Sequence, residues 1–237
     1  MMILNLGCGT SLCAHEDVVN MDWSVYLRLR RNPVLRRVAP LVLRGERLKK
    51  FRSLSSNIRV HNMACGLPYA DASIDAVYHS HLLEHLDREM GPEFFAEVRR
   101  VLKPGGIHRI AVPDFERRCM AYVTHLGFCS DDVERGLHDE FVAGILEQSV
   151  RKEAFGSAQQ GPLRRRLEAW LIGDARRRGE THQWMYDRIN LPVLLERAGF
   201  REVSICSFNE SRVRNWKELG LDLEEHRDET LYVEAVC

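Results

Sequence analysis

No stretch of this sequence approaches the roughly 18 consecutive apolar residues that a membrane-crossing helix needs, and no such helix is expected. The opening run MMILNLGCGT has no basic region ahead of its apolar residues, so a secretory leader is not expected either. Charge of one sign is not in excess. Lys+Arg and Asp+Glu are both 34, the formal net charge is zero and the pI is near 7.1, a balance that argues against a general nucleic-acid coat. Cysteine occurs seven times but never as C-x-x-C, which fits reduced thiols in a cytoplasmic protein better than a disulfide framework or a zinc site. His79, His81 and His85 stand close together, yet no carboxylate-rich loop or second cluster completes a metal site, and none is expected. Internal repeats and low-complexity tracts are also missing.

The chain has 237 residues, 45% of them apolar, enough for one domain with a substantial core. Its first 112 residues alternate short apolar runs with helical stretches, the pattern of a mainly parallel α/β sheet. The expected strands are Met2–Leu6, Val18–Met21, Ile58–Asn62, Ala76–His79 and His108–Val112, followed by Val203–Phe208 and Thr230–Val236 near the end. Phe94, Phe95, Val98, Val101 and Leu102 give Gly91–Leu102 helical spacing, and Lys103-Pro104-Gly105-Gly106 reads as its stop. Asn190 is the expected cap of a last helix through Leu194, Leu195 and Ala198 that ends at Gly199.

Two segments break the rhythm. Ser24–Asn57 carries Arg28, Arg30, Arg31, Arg36, Arg37, Arg44, Arg47, Lys49, Lys50 and Arg52 against one acid, Glu46. Within it Val34, Val38 and Leu41 repeat at i, i+4, i+7, which predicts an amphipathic helix. Asp114–Arg188 is too long for an unstructured connection. Val133, Leu137, Phe141 and Ile145 predict one helix there, and Leu163, Leu167, Trp170 and Leu171 another. Acidic residues gather between Glu210 and Glu229, so the neutral total conceals a basic front and an acidic rear. The basic segment suits an anionic acceptor or an anionic membrane surface, or forms a solvated helical face. Arg164-Arg165-Arg166 and Arg176-Arg177-Arg178 lack the interleaved aromatics of a single-strand-binding surface.

The chemistry begins at Asn5-Leu6-Gly7-Cys8-Gly9-Thr10, an apolar strand running straight into Gly-x-Gly. Such a turn lets backbone approach a ligand with no Cβ in the way. A dinucleotide fingerprint would place Gly or Ala three positions after the second glycine, where this chain has Leu12, and its acid after the next strand comes later than Asp22 does. A ligand without phosphates fits better.

Together with Asn20-Met21-Asp22-Trp23, Asn62-Met63, the run Leu67–Asp75, Leu83-Glu84-His85-Leu86 and Leu102-Lys103-Pro104-Gly105-Gly106, this motif resembles the class I S-adenosylmethionine-dependent methyltransferases. The likeness covers residues 2–113 almost continuously and 190–236 more loosely. It implies a doubly wound, mainly parallel seven-stranded sheet of Rossmann-like methyltransferase type. One domain would span 1–237, with helical lid insertions at 24–57 and 114–188. It also implies that S-adenosylmethionine binds at Asn5, Gly7, Cys8 and Gly9 of the turn. Asp22 would hold the ribose, with Trp23 against adenine, Asn62 and Met63 at the adenine end, and His79 and Ser80 beside them.

The chain departs from that pattern at Asn5, where an acid is usual, and at Ser11, where a third glycine is usual. Methyl transfer to oxygen or nitrogen of a small or sugar-containing acceptor is the expected reaction, with His85, His182 and Asp114 as candidate catalytic groups. The block His182-Gln183-Trp184-Met185-Tyr186-Asp187 resembles one found in a subgroup of these enzymes. The alternatives are a nicotinamide-dependent oxidoreductase and a non-catalytic relative that keeps the fold as a binding module.

Overall fold

The computed structural model describes residues 1–55, 57–129, 132–148 and 181–237. Seven strands form one sheet: β1 (Ile3–Leu6), β2 (Val18–Asp22), β3 (Arg59–Val60), β4 (Ile74–Ser80), β5 (Leu102–Pro113), β6 (Arg201–Cys206) and β7 (Thr230–Val236). Their order is β3-β2-β1-β4-β5-β7-β6, with β7 antiparallel to both neighbours and the remaining pairs parallel. The chain crosses over between the adjacent strands β1 and β4, a topological switch point where ligands of open α/β sheets collect.

Parallel strands are covered on both faces, and Ile3, Leu4, Leu6, Ile74, Val77, Ile110 and Val112 are correspondingly buried. Each such side chain contributes about 1.5–3 kcal/mol by leaving water. On one face α4 (Gly91–Val101) inserts Phe94, Phe95, Val98 and Val101, and α7 (Asn190–Arg197) inserts Leu191 and Leu195. On the other, Trp216, Leu219 and Leu221 pack against Tyr78, Ala111 and Tyr232, Trp216 and Leu219 coming from the short helix α8 (Trp216–Leu219).

The sheet departs from the sequence pattern in instructive places. Lys103-Pro104-Gly105-Gly106 does end α4, but the chain is already in β5. The four residues bulge out of the β4–β5 ladder, and Gly105 donates to the Cys237 carbonyl at 3.0 Å. Asn190 is the first residue of α7 rather than its cap, and Asp187 Oδ1 accepts from the backbone N–H of both Ile189 and Asn190 at 2.8 Å.

The basic segment folds as α1 (Val25–Arg31), α2 (Pro33–Val42) and α3 (Gly45–Ser53) around a small core of its own: Tyr26, Leu27, Leu29, Ala39, Leu43, Phe51 and Leu54. Here the expected apolar stripe is corrected. Ala39 and the partly buried Leu35 face that core, while Val34 is 66% and Leu41 78% exposed. The second insertion supplies α5 (Phe115–Leu126) and α6 (Asp132–Gln148). The helix expected around Leu163–Leu171 and both arginine triplets lie outside the described residues. Among the described residues no helix is long and apolar enough to cross a membrane.

Candidate active site

The carboxyl ends of β1, β2 and β4 open onto a cleft of about 670 Å³. Its floor is the turn after β1. Gly7 and Gly9 have φ of +65° and +54°, a region that side chains with a Cβ adopt at a cost. A Cβ on Gly7 would also lie 2.8 Å from Leu82 Cδ1. Behind the turn, Asn5 Nδ2 donates to the Ser11 carbonyl at 3.1 Å and to Asn20 Oδ1 at 3.0 Å, and Asn20 in turn exchanges two hydrogen bonds with the backbone of Cys13. An acid at position 5 has no N–H to give either acceptor, which accounts for the amide there.

Asp22 ties the next strand end to the same turn. Its carboxylate accepts from Gly9 N–H at 2.7 Å and Ser24 N–H at 2.6 Å. Burial pushes its pKa up against these hydrogen bonds and the nearby Lys50 charge. Trp23 lines the cleft with Arg28 stacked 4.9 Å from its ring. Asn62 and Met63 line the far side, where Asn62 Oδ1 also caps a short helical turn through Ala64 N–H. Cys8 lines the floor, and burial raises its thiol to about 12, which keeps it protonated and unreactive.

Of the expected cofactor residues, Asn5, Gly7, Cys8, Gly9, Asp22, Trp23, Asn62, Met63 and Ser80 all line this cleft. His79 does not. It is fully buried in the sheet, its ring 5.4 Å from Phe94 and 5.1 Å from His108, because the β pleat turns its side chain away from the neighbour that faces the ligand.

The other end of the cleft is walled by His81, His85 and His226. Behind them Glu84 is completely buried, and neither carboxylate oxygen has a hydrogen-bond partner among the described residues. His81 Nδ1 stands 3.4 Å and His85 Nε2 3.9 Å from Glu84 Oε1. Burial alone would raise the Glu84 pKa; the two imidazoles more than reverse this, and the net direction is down. Burial lowers the His85 pKa, leaving that ring neutral near pH 7.

The main chain of Glu84 anchors the 181–187 segment, its carbonyl accepting from Gln183 N–H at 2.6 Å and Trp184 N–H at 3.3 Å. That contact brings the His182 ring to 4.8 Å from His85. Asp114 plays a different part: it caps α5 by accepting from Arg117 N–H at 3.0 Å and is not among the cleft-lining residues.

Leu221, Leu223 and His226 reach the cleft with no local signal in the sequence to mark them. The fold holds them through Arg109, buried in β5, whose guanidinium pairs with Asp222 and with Glu234 at 3.0 Å and sits 5.0 Å above the Trp216 ring.

Residues 4–110, a little under half of the chain, match the family model described as a methyltransferase domain. That match, the sheet order and the glycine turn agree with the resemblance to class I S-adenosylmethionine-dependent methyltransferases that the sequence carries. The turn suits the S-adenosylmethionine that the resemblance implies: both glycines keep the floor open where a Cβ would intrude, and Asp22 keeps acceptor lone pairs at the rim.

Among solved structures the chain is similar to an S-adenosylmethionine-dependent methyltransferase from Archaeoglobus fulgidus, at 15% identity and TM-score 0.46, covering 100% of this chain and 86% of that one. It is also similar to one from Mesorhizobium loti, at 17% identity and TM-score 0.44, covering 100% and 90%. No curated protein matches.

Proposed function

We propose that the enzyme methylates an oxygen or nitrogen of a small or sugar-containing acceptor held at the histidine-lined end of the cleft. The observation that carries this reading is the gathering of His81, Glu84, His85, His182 and His226 opposite the glycine turn. When bound, S-adenosylmethionine supplies an electrophilic methyl carbon, to which an acceptor lone pair bonds as the carbon–sulfur pair leaves with sulfur. The residues of the chain orient and dry the site. Asp22 and Asn62 hold the nucleoside end, the turn at Gly7 and Gly9 takes the amino-acid end, and His85 and His182 activate the acceptor.

The insertion at 24–57 closes the cleft as a lid. Ser24, Lys50 and Leu54 already contribute to its wall, which supports this reading. The free state of all seven cysteines suits a reducing, cytoplasmic compartment.

The outer face of 24–57 supports a role at an anionic membrane surface. Val34, Val38 and Leu41 form an exposed stripe on α2, flanked by the exposed Arg31, Arg36, Arg37 and Arg44. Apolar side chains for the headgroup boundary set among cations for the phosphates are the complement of such a surface.

The reaction is tested by supplying S-adenosylmethionine with a panel of hydroxylated and aminated sugars and small metabolites and measuring S-adenosylhomocysteine release. Turnover with at least one acceptor is expected, and it should fall when His85→Ala or His182→Ala is introduced. Turnover that survives both substitutions would overturn the assignment of the acceptor end.

A further inference from the structure

The cluster at the acceptor end has an unbalanced polarity. Thr181 contributes a carbonyl to His85 Nδ1 at 3.2 Å, and a carbonyl can only accept, so Nδ1 carries the proton. The other nitrogen, Nε2, then presents a lone pair, and what it faces 3.9 Å away is a carboxylate oxygen of Glu84. Two acceptors pointed at one another in a buried place repel unless something positive lies between them. Glu84 adds to the demand: it is wholly buried and without a hydrogen bond on either oxygen among the described residues. His182 completes the arrangement from 97 residues further along the chain, with the ligating atoms of Glu84, His85 and His182 all within 4.8 Å of one another.

We propose that Glu84, His85 and His182 bind a divalent first-row metal ion of the zinc, iron, manganese or cobalt type. Two imidazoles and one carboxylate are a donor set these ions share, and three protein ligands leave a position open. The second shell is in place, since the Thr181 carbonyl fixes the His85 tautomer as a hydrogen-bonded second nitrogen does in metal sites. Tetrahedral bonds of about 2.0–2.1 Å set ligand atoms about 3.4 Å apart, so the trio closes by roughly half an ångström to somewhat over one ångström around the ion. His85 lines the cleft, so the open position faces the acceptor. This rests on the proposed acceptor end and deepens it. The acceptor is then one that offers an oxygen, whose coordinated hydroxyl loses its proton to water near neutral pH. His85 and His182 act there as ligands.

A second trio, His125, Cys129 and His138, lies between α5 and α6, so the test is made on the full chain carrying Cys129→Ala. Co²⁺ is titrated while its visible absorption is followed, and S-adenosylhomocysteine affinity is measured on the same samples. The expected result is one equivalent of Co²⁺ with the absorption of a four- or five-coordinate ion, weakened at least about tenfold by Glu84→Gln and by His182→Ala. S-adenosylhomocysteine should bind all three proteins alike. Intact S-adenosylhomocysteine binding without Co²⁺ uptake, or with uptake that neither substitution weakens, overturns the metal site and leaves the methyltransferase assignment standing. Loss of S-adenosylhomocysteine binding in the parent protein would strike the underlying reading instead. Should Glu84→Gln not fold, His182→Ala, altered at a half-buried position, decides alone.

Discussion

His79, His81 and His85 leave the same strand end and meet three fates. His79 points into the sheet between Phe94 and His108 and titrates far below its ordinary range, at about 4, because burial penalises its charged form. His81 takes a left-handed backbone, φ 49°, which turns its ring toward Glu84 and His226. His85 reaches the cleft.

The buried His79 has a consequence for stability. Below pH 6.5 the unfolded chain takes up a proton that the folded chain refuses until about pH 4. Its contribution is therefore whole above pH 6.5 and is lost as pH falls toward 4, by an amount on the order of 2–3 kcal/mol. Urea denaturation across that range should show the decline, with a shallower slope in His79→Phe; identical slopes would remove His79 from the explanation.

Residue spacing alone could not sort these histidines. The glycines and Asp22 were legible as cleft-lining residues because that placement depends on positions a few residues away. Glu84 and His182 come together only when the chain folds back, a contact that residue spacing does not mark. Asp114, which caps α5, and His79, buried in the sheet, show that a strand end supplies caps and core side chains as well as cleft-lining residues.

At the scale of elements, β1, β2, β4 and β7 followed closely from their apolar runs, since short buried strands bounded by turn residues have few alternatives. β5 did not, because its first residues are a bulge whose Pro-Gly-Gly chemistry is also that of a helix end. Helix α2 was correctly expected, but its buried face was not. Periodicity identifies a stripe, and only packing decides whether the stripe turns inward; here Ala39 and Leu43 took the inner side.

The outward stripe makes α2 the element to test for membrane contact. Co-sedimentation with phosphatidylglycerol vesicles is expected at low salt, with little on phosphatidylcholine. Val34→Glu with Leu41→Glu should reduce it severalfold without unfolding the protein, since both side chains are exposed. Binding that ignores both lipid charge and the double substitution would dismiss α2 as a docking element.

Taken as a whole molecule, the sheet brings two kinds of chemistry to one edge. The switch point between β1 and β4 delivers the glycine turn and Asp22 to one end of the cleft, and the chain after β4 delivers the histidines to the other. The far end of the sequence closes the arrangement. Arg109, Asp222 and Glu234 lock β5, β7 and the loop between β6 and β7 together, holding Leu221, Leu223 and His226 against the cleft. Removing one member of a buried ionic group typically costs about 3–5 kcal/mol, so this lock also serves the site's rigidity.

The most direct measurement is a crystal structure of the protein soaked with S-adenosylhomocysteine. Its ribose hydroxyls are expected on Asp22, its adenine between Trp23 and Asn62, and its sulfur turned toward His85. A nucleoside lodged elsewhere, or a glycine turn closed to it at millimolar ligand, would contradict the account.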